Sequence, residues 1–294
     1  MSTTTLGPRA YRHARVEKTK NASRRVHRAR CGRHRAILED VSAMGASRED
    51  DALARRMGKI SEKSVNVVVV ERPEAREALA RTCLRAMLRE RGAFDRVATF
   101  EDGTCARVER DDARDAFSLR ETLLERGWDA VEEEEAAVEA LSEDIACVVR
   151  VFASVVPRRE GEGVKATLSL LRSTLCSRLH VDVTSARLMV TYCGASTEIC
   201  DETTSAVIAA ANAGGGNVFS DALKGAAERL APPRECGECA VALLKGERWR
   251  YDDGTTSRGR AIVHRSPAID ERATEPDDRW RLTLKLDVER FGEE

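Results

Sequence analysis

The second half of the chain consists of short strand-like runs separated by turn signals. From residue 164 onward the apolar stretches are VKATLSLLRS, RLHVDVTSARLMVTYCG, CAVALLKGERW, RGRAIVHRSP and RWRLTLKLDV. Strands in which every second residue is apolar bury one face, and closely spaced strands of this kind pair most readily as antiparallel neighbours. The pattern predicts an antiparallel sandwich or barrel with its apolar faces inward.

The segment before these runs is mostly helical in pattern. SVNVVVVER at residues 64–72 is rich in β-branched residues and predicts a buried strand, after which Pro73 opens a helical stretch that Gly92 closes. We therefore predict an α+β protein. A helical N-terminal region over residues 61–158 packs on a double-stranded β-helix core, of the jelly-roll or cupin-like kind, over residues 159–294.

The N-terminus differs sharply in charge from the rest of the chain. Residues 1–36 carry eleven Lys or Arg and one acid, Glu17, whereas the remaining 258 residues carry 38 basic and 49 acidic side chains, a net charge of −11. An Arg-, Ser- and Thr-rich segment without an apolar core is typical of a transit peptide, which predicts a plastid or mitochondrial location and otherwise the cytoplasm. A disordered basic tail or a phosphate-contacting arm has the same composition. We predict a disordered leader over residues 1–60.

Several classes of function are disfavoured by composition and motif. No run approaches about 18 consecutive apolar residues, so no membrane span is predicted. The acidic body disfavours nucleic-acid binding by the folded part, and the absence of a GxSxG elbow disfavours a serine hydrolase. The glycines at 214–216 lack the flanking strand and helix of a phosphate loop, and the glutamates at 132–135 fit a solvated helical turn.

The nine cysteines indicate reduced thiols. Their number is odd and several lie inside apolar runs, which is typical of a reducing compartment. Cys236 and Cys239 in CGEC have a metal-like spacing, but a structural zinc site needs four ligands. Cys193 and Cys200 complete such a site only if the fold brings them close, so a turn with incidental thiols is the favoured interpretation.

Three residues could form a metal site. His180 and Asp182 lie two apart in a predicted strand, so their side chains point to the same face. His264 is the only other histidine outside the leader, and it also lies in a predicted strand. Two histidines and a carboxylate form the facial triad of non-haem Fe(II) oxygenases, which keeps coordination positions open. The alternatives are hydrogen-bonded core histidines and an aspartate that caps a turn at Thr184.

A basic residue on the last strand could bind a cosubstrate. Arg281 and Thr283 share a strand face and together could hold the distal carboxylate of 2-oxoglutarate. Arg279 competes for this role, and an exposed arginine at a sheet edge is the alternative. The order of HxD, distal histidine and final basic residue resembles that of 2-oxoglutarate/Fe(II) dioxygenases. The resemblance implies that the triad holds Fe(II), that 2-oxoglutarate chelates it, and that Arg281 anchors the cosubstrate.

Four further residues are candidates to line the pocket: Tyr192, Lys245, Glu247 and Arg265. Tyr192 could donate a hydrogen bond to the cosubstrate, and ordinary sheet packing is its alternative. Lys245 and Glu247 flank Gly246, which suits a tight turn that carries solvated charges.

Residues 64–290 resemble a family of domains of unknown function that is widespread in bacteria, DUF1826. The resemblance is strongest over residues 175–290, in HVD, RLMVTYCGASTEI, VALLKGERW, IVHRSP and RLTLKLD. The family's GTEW is STEI here, so Ile199 replaces an aromatic residue. Some bacterial relatives lie near zinc-homeostasis genes, which implies an alternative function as a non-catalytic Zn²⁺ carrier or sensor. A β-sandwich interaction domain without metal is the third hypothesis.

Overall fold

A computed structural model describes the backbone of residues 37–40, 46–81, 94–100, 135–159, 161–213, 231–269 and 280–290. Several features singled out from the sequence lie outside these residues. They are the basic segment 1–36, the glutamates at 132–134, the glycines at 214–216 and Arg279.

Seven strands form one large sheet. They are β1 (Ile37–Asp40), β2 (Val67–Glu71), β3 (Phe94–Phe100), β4 (Glu162–Leu171), β5 (Ala186–Cys193), β8 (Val241–Lys245) and β10 (Arg281–Arg290). Their order in the sheet is β1-β2-β8-β5-β10-β4-β3, and every neighbouring pair is antiparallel except β1 and β2, which are parallel. This architecture confirms the prediction of mixed α and β structure with antiparallel sheets.

Three very short strands form a second sheet. They are β6 (Glu198–Ile199), β7 (Arg234–Glu235) and β9 (His264–Arg265), in the order β7-β6-β9 with antiparallel pairing throughout. His180 extends this sheet by one further residue, because it forms an isolated antiparallel bridge to His264. The two backbones exchange both hydrogen bonds, at 3.0 and 2.9 Å.

The helices are α1 (Ala46–Met57), α2 (Pro73–Arg81), α3 (Glu135–Val155) and α4 (Glu202–Ala213), and a 3₁₀ turn, Gly58–Ser61, follows α1. Helices α1 and α3 contact each other, while α1 packs on β2 and α3 on β4 and β10. No helix of the described residues has the length and apolar content that a membrane crossing requires.

The folded part of the chain begins earlier than predicted. Residues up to 60 were expected to be a disordered leader, but α1 and the following turn bury Leu53, Met57 and Ile60 against the core. These apolar residues recur three or four positions apart, which is the spacing that places side chains on one face of a helix. The prediction of a leader through residue 60 is wrong for residues 46–60.

The large sheet has two different faces. On the outer face, residues such as Leu188, Val190 and Leu284 pack into one cluster with apolar side chains of α3, including Leu141 and Phe152. The inner face lies against the small sheet. There, apolar side chains of β2 and β8 contact those of the small sheet and nearby loops in a second cluster: Val67, Val69, Ala242, Leu244, Ile199, Cys236, Ala240 and Ile262.

The run at residues 178–194 was predicted as one strand, but β5 begins only at Ala186. The carbonyl groups of Asp182 and Thr184 accept hydrogen bonds from the amides of Glu247 and Arg248, at 2.9 and 3.0 Å, so a turn after β8 contacts this segment. Gly246 permits the close approach, since a Cβ there would lie 2.1 Å from the Thr184 carbonyl oxygen.

Candidate metal centre

The structure brings the three predicted ligands together. Nitrogen and oxygen atoms of His180, Asp182 and His264 all lie within 4.8 Å of one another, and no other group of this kind occurs among the described residues. Nε2 of His264 is 3.3 Å from Oδ2 of Asp182, and Nε2 of His180 is 4.0 Å from Oδ1. The two imidazole rings have centroids 4.4 Å apart and are tilted by 50°.

Backbone contacts fix each ligand. The mutual bridge between His180 and His264 places the two rings side by side. Asp182 lies just before a bend at residues 183–185, and its carbonyl accepts the Glu247 amide. The three side chains therefore converge through a bridge and a bend rather than through one continuous strand.

Both rings present the same nitrogen to the carboxylate. Nδ1 of His180 lies 2.8 Å from the carbonyl oxygen of Arg178, and Nδ1 of His264 lies 3.4 Å from that of Ile262. A carbonyl oxygen can only accept a hydrogen bond, so these contacts favour the tautomer with the proton on Nδ1 and a lone pair on Nε2. Metal-binding histidines are commonly oriented by such a contact on the other ring nitrogen.

The two oxygens of Asp182 have different environments. Oδ1 accepts a hydrogen bond from Nη1 of Arg187 at 2.5 Å. Oδ2 is buried, accepts no hydrogen bond from the described residues, and lies 3.3 Å from Nε2 of His264. With the His264 proton on Nδ1, a buried carboxylate oxygen faces a nitrogen lone pair, which is unfavourable unless a cation lies between them. The donor set therefore fits a divalent transition metal.

The charge states also suit metal binding. Burial raises the pKa of Asp182, but the nearby His264 and the Arg187 guanidinium outweigh this effect and lower it overall. Burial and the neighbouring His264 lower the pKa of His180. At neutral pH this gives an ionised carboxylate and a neutral His180 imidazole, which are the forms that bind metals.

Arg187 is a site residue that the sequence reasoning missed. Its guanidinium donates to Asp182 and forms a second, two-pronged ion pair with Asp287, at 2.7 and 3.1 Å. Arg187 and Asp287 face each other directly across β5 and β10. An arginine in ARLMV and an aspartate in KLDV, each within an apolar strand, were the available signal.

Arg281, the predicted cosubstrate anchor, is buried rather than exposed at a sheet edge. It is 2% exposed, and its Nε donates to the carbonyl of Ala195 at 2.6 Å. No carboxylate of the described residues forms an ion pair with it. Burial lowers the pKa of Arg281 to about 10, partly offset by Cys236 and Glu235. Thr283 follows two residues later in β10, on the same face and half-buried.

The prediction that Tyr192 contacts the cosubstrate is wrong, and sheet packing is correct. Tyr192 belongs to the outer-face cluster of the large sheet, together with Leu188 and Val190. Its hydroxyl donates to Oδ2 of Asp144 at 2.8 Å, and Asp144 also pairs with Arg72. Tyr192 lies two residues after Val190 in β5, and alternate residues of a strand share a face, so both side chains lie on the outer face.

The other candidates have varied environments. Lys245 is buried and donates to the carbonyl of Glu62 at 2.7 Å, while Arg265 forms an ion pair with Glu198 at 2.5 Å. Neither side chain belongs to the triad. Glu247 lines a cavity together with Val183, Arg248 and Arg250.

The CGEC segment forms a turn, in which Gly237 and Cys239 have φ angles of 95° and 58°. Burial raises the pKa of both Cys236 and Cys239 to about 12, so neither thiol is ionised at neutral pH. Thiolates are the zinc-binding form, which agrees with a structural turn.

Comparison with known proteins identifies a family. A family model described as "Protein of unknown function (DUF1826)" matches residues 51–287. No curated protein matches the chain.

Three solved structures are among those that match this chain over most of its length. A dioxygenase for auxin oxidation from rice is 15% identical with a TM-score of 0.39, over 86% of this chain and 82% of that chain. A Neurospora crassa protein in complex with alpha-KG and 5-formyluracil is 9% identical with a TM-score of 0.34, over 88% and 86%. A bsmA homolog from Methylobium petroleophilum is 13% identical with a TM-score of 0.33, over 82% and 94%.

Proposed function

We propose that this chain, which belongs to the DUF1826 family, is a non-haem Fe(II)/2-oxoglutarate-dependent dioxygenase that hydroxylates a substrate. The observation that carries the proposal is the convergence of His180, Asp182 and His264 within 4.8 Å, with the buried Oδ2 of Asp182 facing Nε2 of His264 at 3.3 Å. Two histidines and one carboxylate leave coordination positions for a chelating oxo-acid and for dioxygen.

The pairing of the strands supports a double-stranded β-helix. From β4 onward the pairs are nested: β4 pairs with β10, the residue His180 with β9, β5 with β8, and β6 with β7. The members of the first and third pairs lie in the large sheet, and those of the second and fourth in the small sheet. A long antiparallel hairpin rolled into two facing sheets has this nested order, which is the arrangement of a jelly roll.

Arg187 would preserve the open positions of the metal. Its hydrogen bond occupies Oδ1 of Asp182, whereas Oδ2 faces Nε2 of His264 at 3.3 Å. The carboxylate would then provide one ligand atom rather than two. Bound Fe(II) and 2-oxoglutarate would supply the oxidising chemistry, in which one oxygen atom of O₂ enters succinate and the other enters the substrate.

Arg281 would hold the far carboxylate of 2-oxoglutarate. A buried guanidinium without a counter-ion is costly, and an anionic ligand would supply the missing charge. The planar guanidinium can offer two parallel N–H groups to a carboxylate. Thr283 on the same strand face adds a hydroxyl donor.

The test is an anaerobic titration of the full chain with Fe(II) and 2-oxoglutarate, followed by absorption spectroscopy and metal analysis. A metal-to-ligand charge-transfer band is expected with the wild type and not with Asp182→Ala. Asp253→Ala, which removes an exposed aspartate paired with Lys63, is the matched control and should keep the band. Admission of air should then yield succinate without added substrate.

Two results would contradict the proposal: a wild-type protein that binds Fe(II) but gives no band, or an unchanged band in Asp182→Ala. The same three ligands also fit Zn²⁺, so the non-catalytic zinc protein remains the second candidate. Stoichiometric Zn²⁺ binding that requires Asp182, together with no band and no succinate, would favour that function.

A further inference from the structure

Two adjoining cavities lie beside the triad. The first, of about 620 Å³, is lined in part by Asp182 and Arg187, and the second has a volume of about 520 Å³. They share four lining residues, which are Arg159, Val183, Arg248 and Arg250. The joined space is called the arginine groove below. One of the three proposed metal ligands, Asp182, and its partner Arg187 form part of its wall.

Positive charge dominates the groove. Its arginines are Arg158, Arg159, Arg187, Arg248, Arg250 and Arg258, and its acids are Asp182, Glu162 and Glu247. Arg187 is neutralised by Asp182 and Asp287. The guanidinium groups of four of the others form no hydrogen bond or ion pair with any described residue: Arg159, Arg248, Arg250 and Arg258.

This local concentration of positive charge runs against the net charge of the chain that follows the basic leader. Residues 37–294 carry a net charge of −11, yet four exposed guanidiniums without a protein partner among the described residues line one groove. Like charges held close together repel one another, so an arrangement of this kind gains most from an anion that lies between them.

We infer that the arginine groove binds a small molecule with two or more phosphate or carboxylate groups. On the proposed function, on which this assignment rests, that molecule is the oxygenase substrate. The guanidinium fork matches both anions, and each cavity has the size of a small-molecule site. Binding there would hold the substrate next to Asp182 and hence next to the metal.

A long polyanion fits the groove less well. Single-stranded nucleic acid is usually held by exposed aromatic side chains on which bases stack, but Trp249 and Tyr251 are both buried. The net charge of −11 over residues 37–294 also opposes a long polyanion more strongly than a compact one. A compact anion contacts the arginines alone.

The test measures anion binding by calorimetry on the metal-free full chain, with tripolyphosphate as the phosphate probe and citrate as the carboxylate probe. Arg248→Gln/Arg250→Gln removes two groove charges. Arg234→Gln/Arg260→Gln removes two exposed charges that line neither cavity, and is the matched control. At least one probe should bind the groove variant about tenfold more weakly than the wild type. The control should stay within about twofold of the wild type.

The outcomes separate this inference from the proposed function. Equal affinities of the wild type and the groove variant would overturn the inference, as would an equal loss in the control. Tighter binding of a single-stranded oligonucleotide or hexaglutamate than of either probe would overturn the small-molecule assignment. The charge-transfer band, measured on the same proteins, reports on the oxygenase alone. Groove-dependent anion binding without any band would retain the anion site and contradict only its role in an oxygenase.

Discussion

The two faces of the large sheet differ in what their strands contribute. On β10, Leu282, Leu284 and Leu286 point to the outer face and are fully buried among apolar side chains. The residues of β10 that alternate with these leucines point to the inner face, and all are polar or charged: Arg281, Thr283, Lys285 and Asp287. One strand thus supplies both the core and the surroundings of the metal centre.

The contrast between the apolar and the polar face of β10 indicates which of its residues stabilise the fold and which are available to bind a ligand. Burial of apolar side chains stabilises the fold, whereas a buried charge lowers stability unless it is paired. On the inner face, Arg187 and Asp287 are paired with each other, but Arg281 has no counter-ion among the described residues. On β10, substitutions on the outer face should therefore change stability, and substitutions on the inner face should change ligand binding.

The largest effect is expected on the outer face. Leu284→Ala should lower the free energy of unfolding by about 2–5 kcal/mol, since a fully buried leucine leaves a cavity. Thr283→Ala, one residue earlier and on the inner face, is the matched control and should cost no more than about 1 kcal/mol. Urea denaturation of the metal-free proteins measures both. Equal losses would show that the two faces do not differ in this way.

Arg281→Met should separate binding from stability on the inner face. We expect the affinity for 2-oxoglutarate, measured from the charge-transfer band, to fall by about a hundredfold because a two-pronged ionic contact is lost. The free energy of unfolding should change by no more than about 1 kcal/mol, since a buried unpaired charge is removed with one hydrogen bond. Arg234→Met, on the exposed edge strand β7, should leave both quantities unchanged. An unchanged 2-oxoglutarate affinity in Arg281→Met would exclude this residue as the anchor.

The sequence was sufficient for features that depend on local pattern. Alternation of apolar and polar residues predicted the inner parts of β4, β5 and β10, because a strand buried on one side repeats every two residues. The continuous apolar run VALL predicted β8, which is buried on both faces. The scarcity of histidines outside the leader pointed to His180 and His264, which the structure places side by side.

Features that depend on distant contacts were not predictable in this way. The bend that follows Asp182 is held by hydrogen bonds with residues 247 and 248, more than 60 positions later in the chain. The face on which Tyr192 lies depends on the residue at which β5 begins, and a shift of one residue reverses it. The pairing of Arg187 with Asp287 needs the register of two strands that are a hundred residues apart.

Arg187 connects a paired inner-face charge, Asp287, to the candidate metal ligand Asp182. Arg187→Gln should weaken Fe(II) or Zn²⁺ binding by about tenfold, since Asp182 loses the contact that orients it. Arg187→Gln/Asp287→Asn leaves no unpaired carboxylate on β10 and should show the same loss. Competition with a metal-chelating dye measures both affinities. Wild-type affinity in the double variant would mean that the bend alone positions Asp182.

The smallest effect concerns a charge on the outer-face side. Lys245 is 1% exposed and lies near the Trp249 and Tyr251 rings, and burial lowers its pKa to about 8, whereas an unfolded lysine has a pKa of about 10.4. Between these values the unfolded chain binds more protons than the folded one, so this residue makes stability rise with pH.

In Lys245→Met that contribution should be absent, so the rise of wild-type stability relative to the variant between pH 8 and pH 10 should be on the order of 1–2 kcal/mol. Burial of the Cys236 and Cys239 thiols acts in the opposite sense in both proteins and cancels in the comparison. Lys165→Met, at a half-exposed lysine paired with Glu289, should follow the wild type across this range. Parallel stability curves for the wild type and Lys245→Met, from urea denaturation at pH 8, 9 and 10, would show that Lys245 stays charged in the folded protein. In that case the carbonyl and aromatic contacts of Lys245 would be sufficient to keep a buried cation charged on the outer face. Lys245 and Arg281 would then differ in whether they bind a ligand, and not in how much their burial costs.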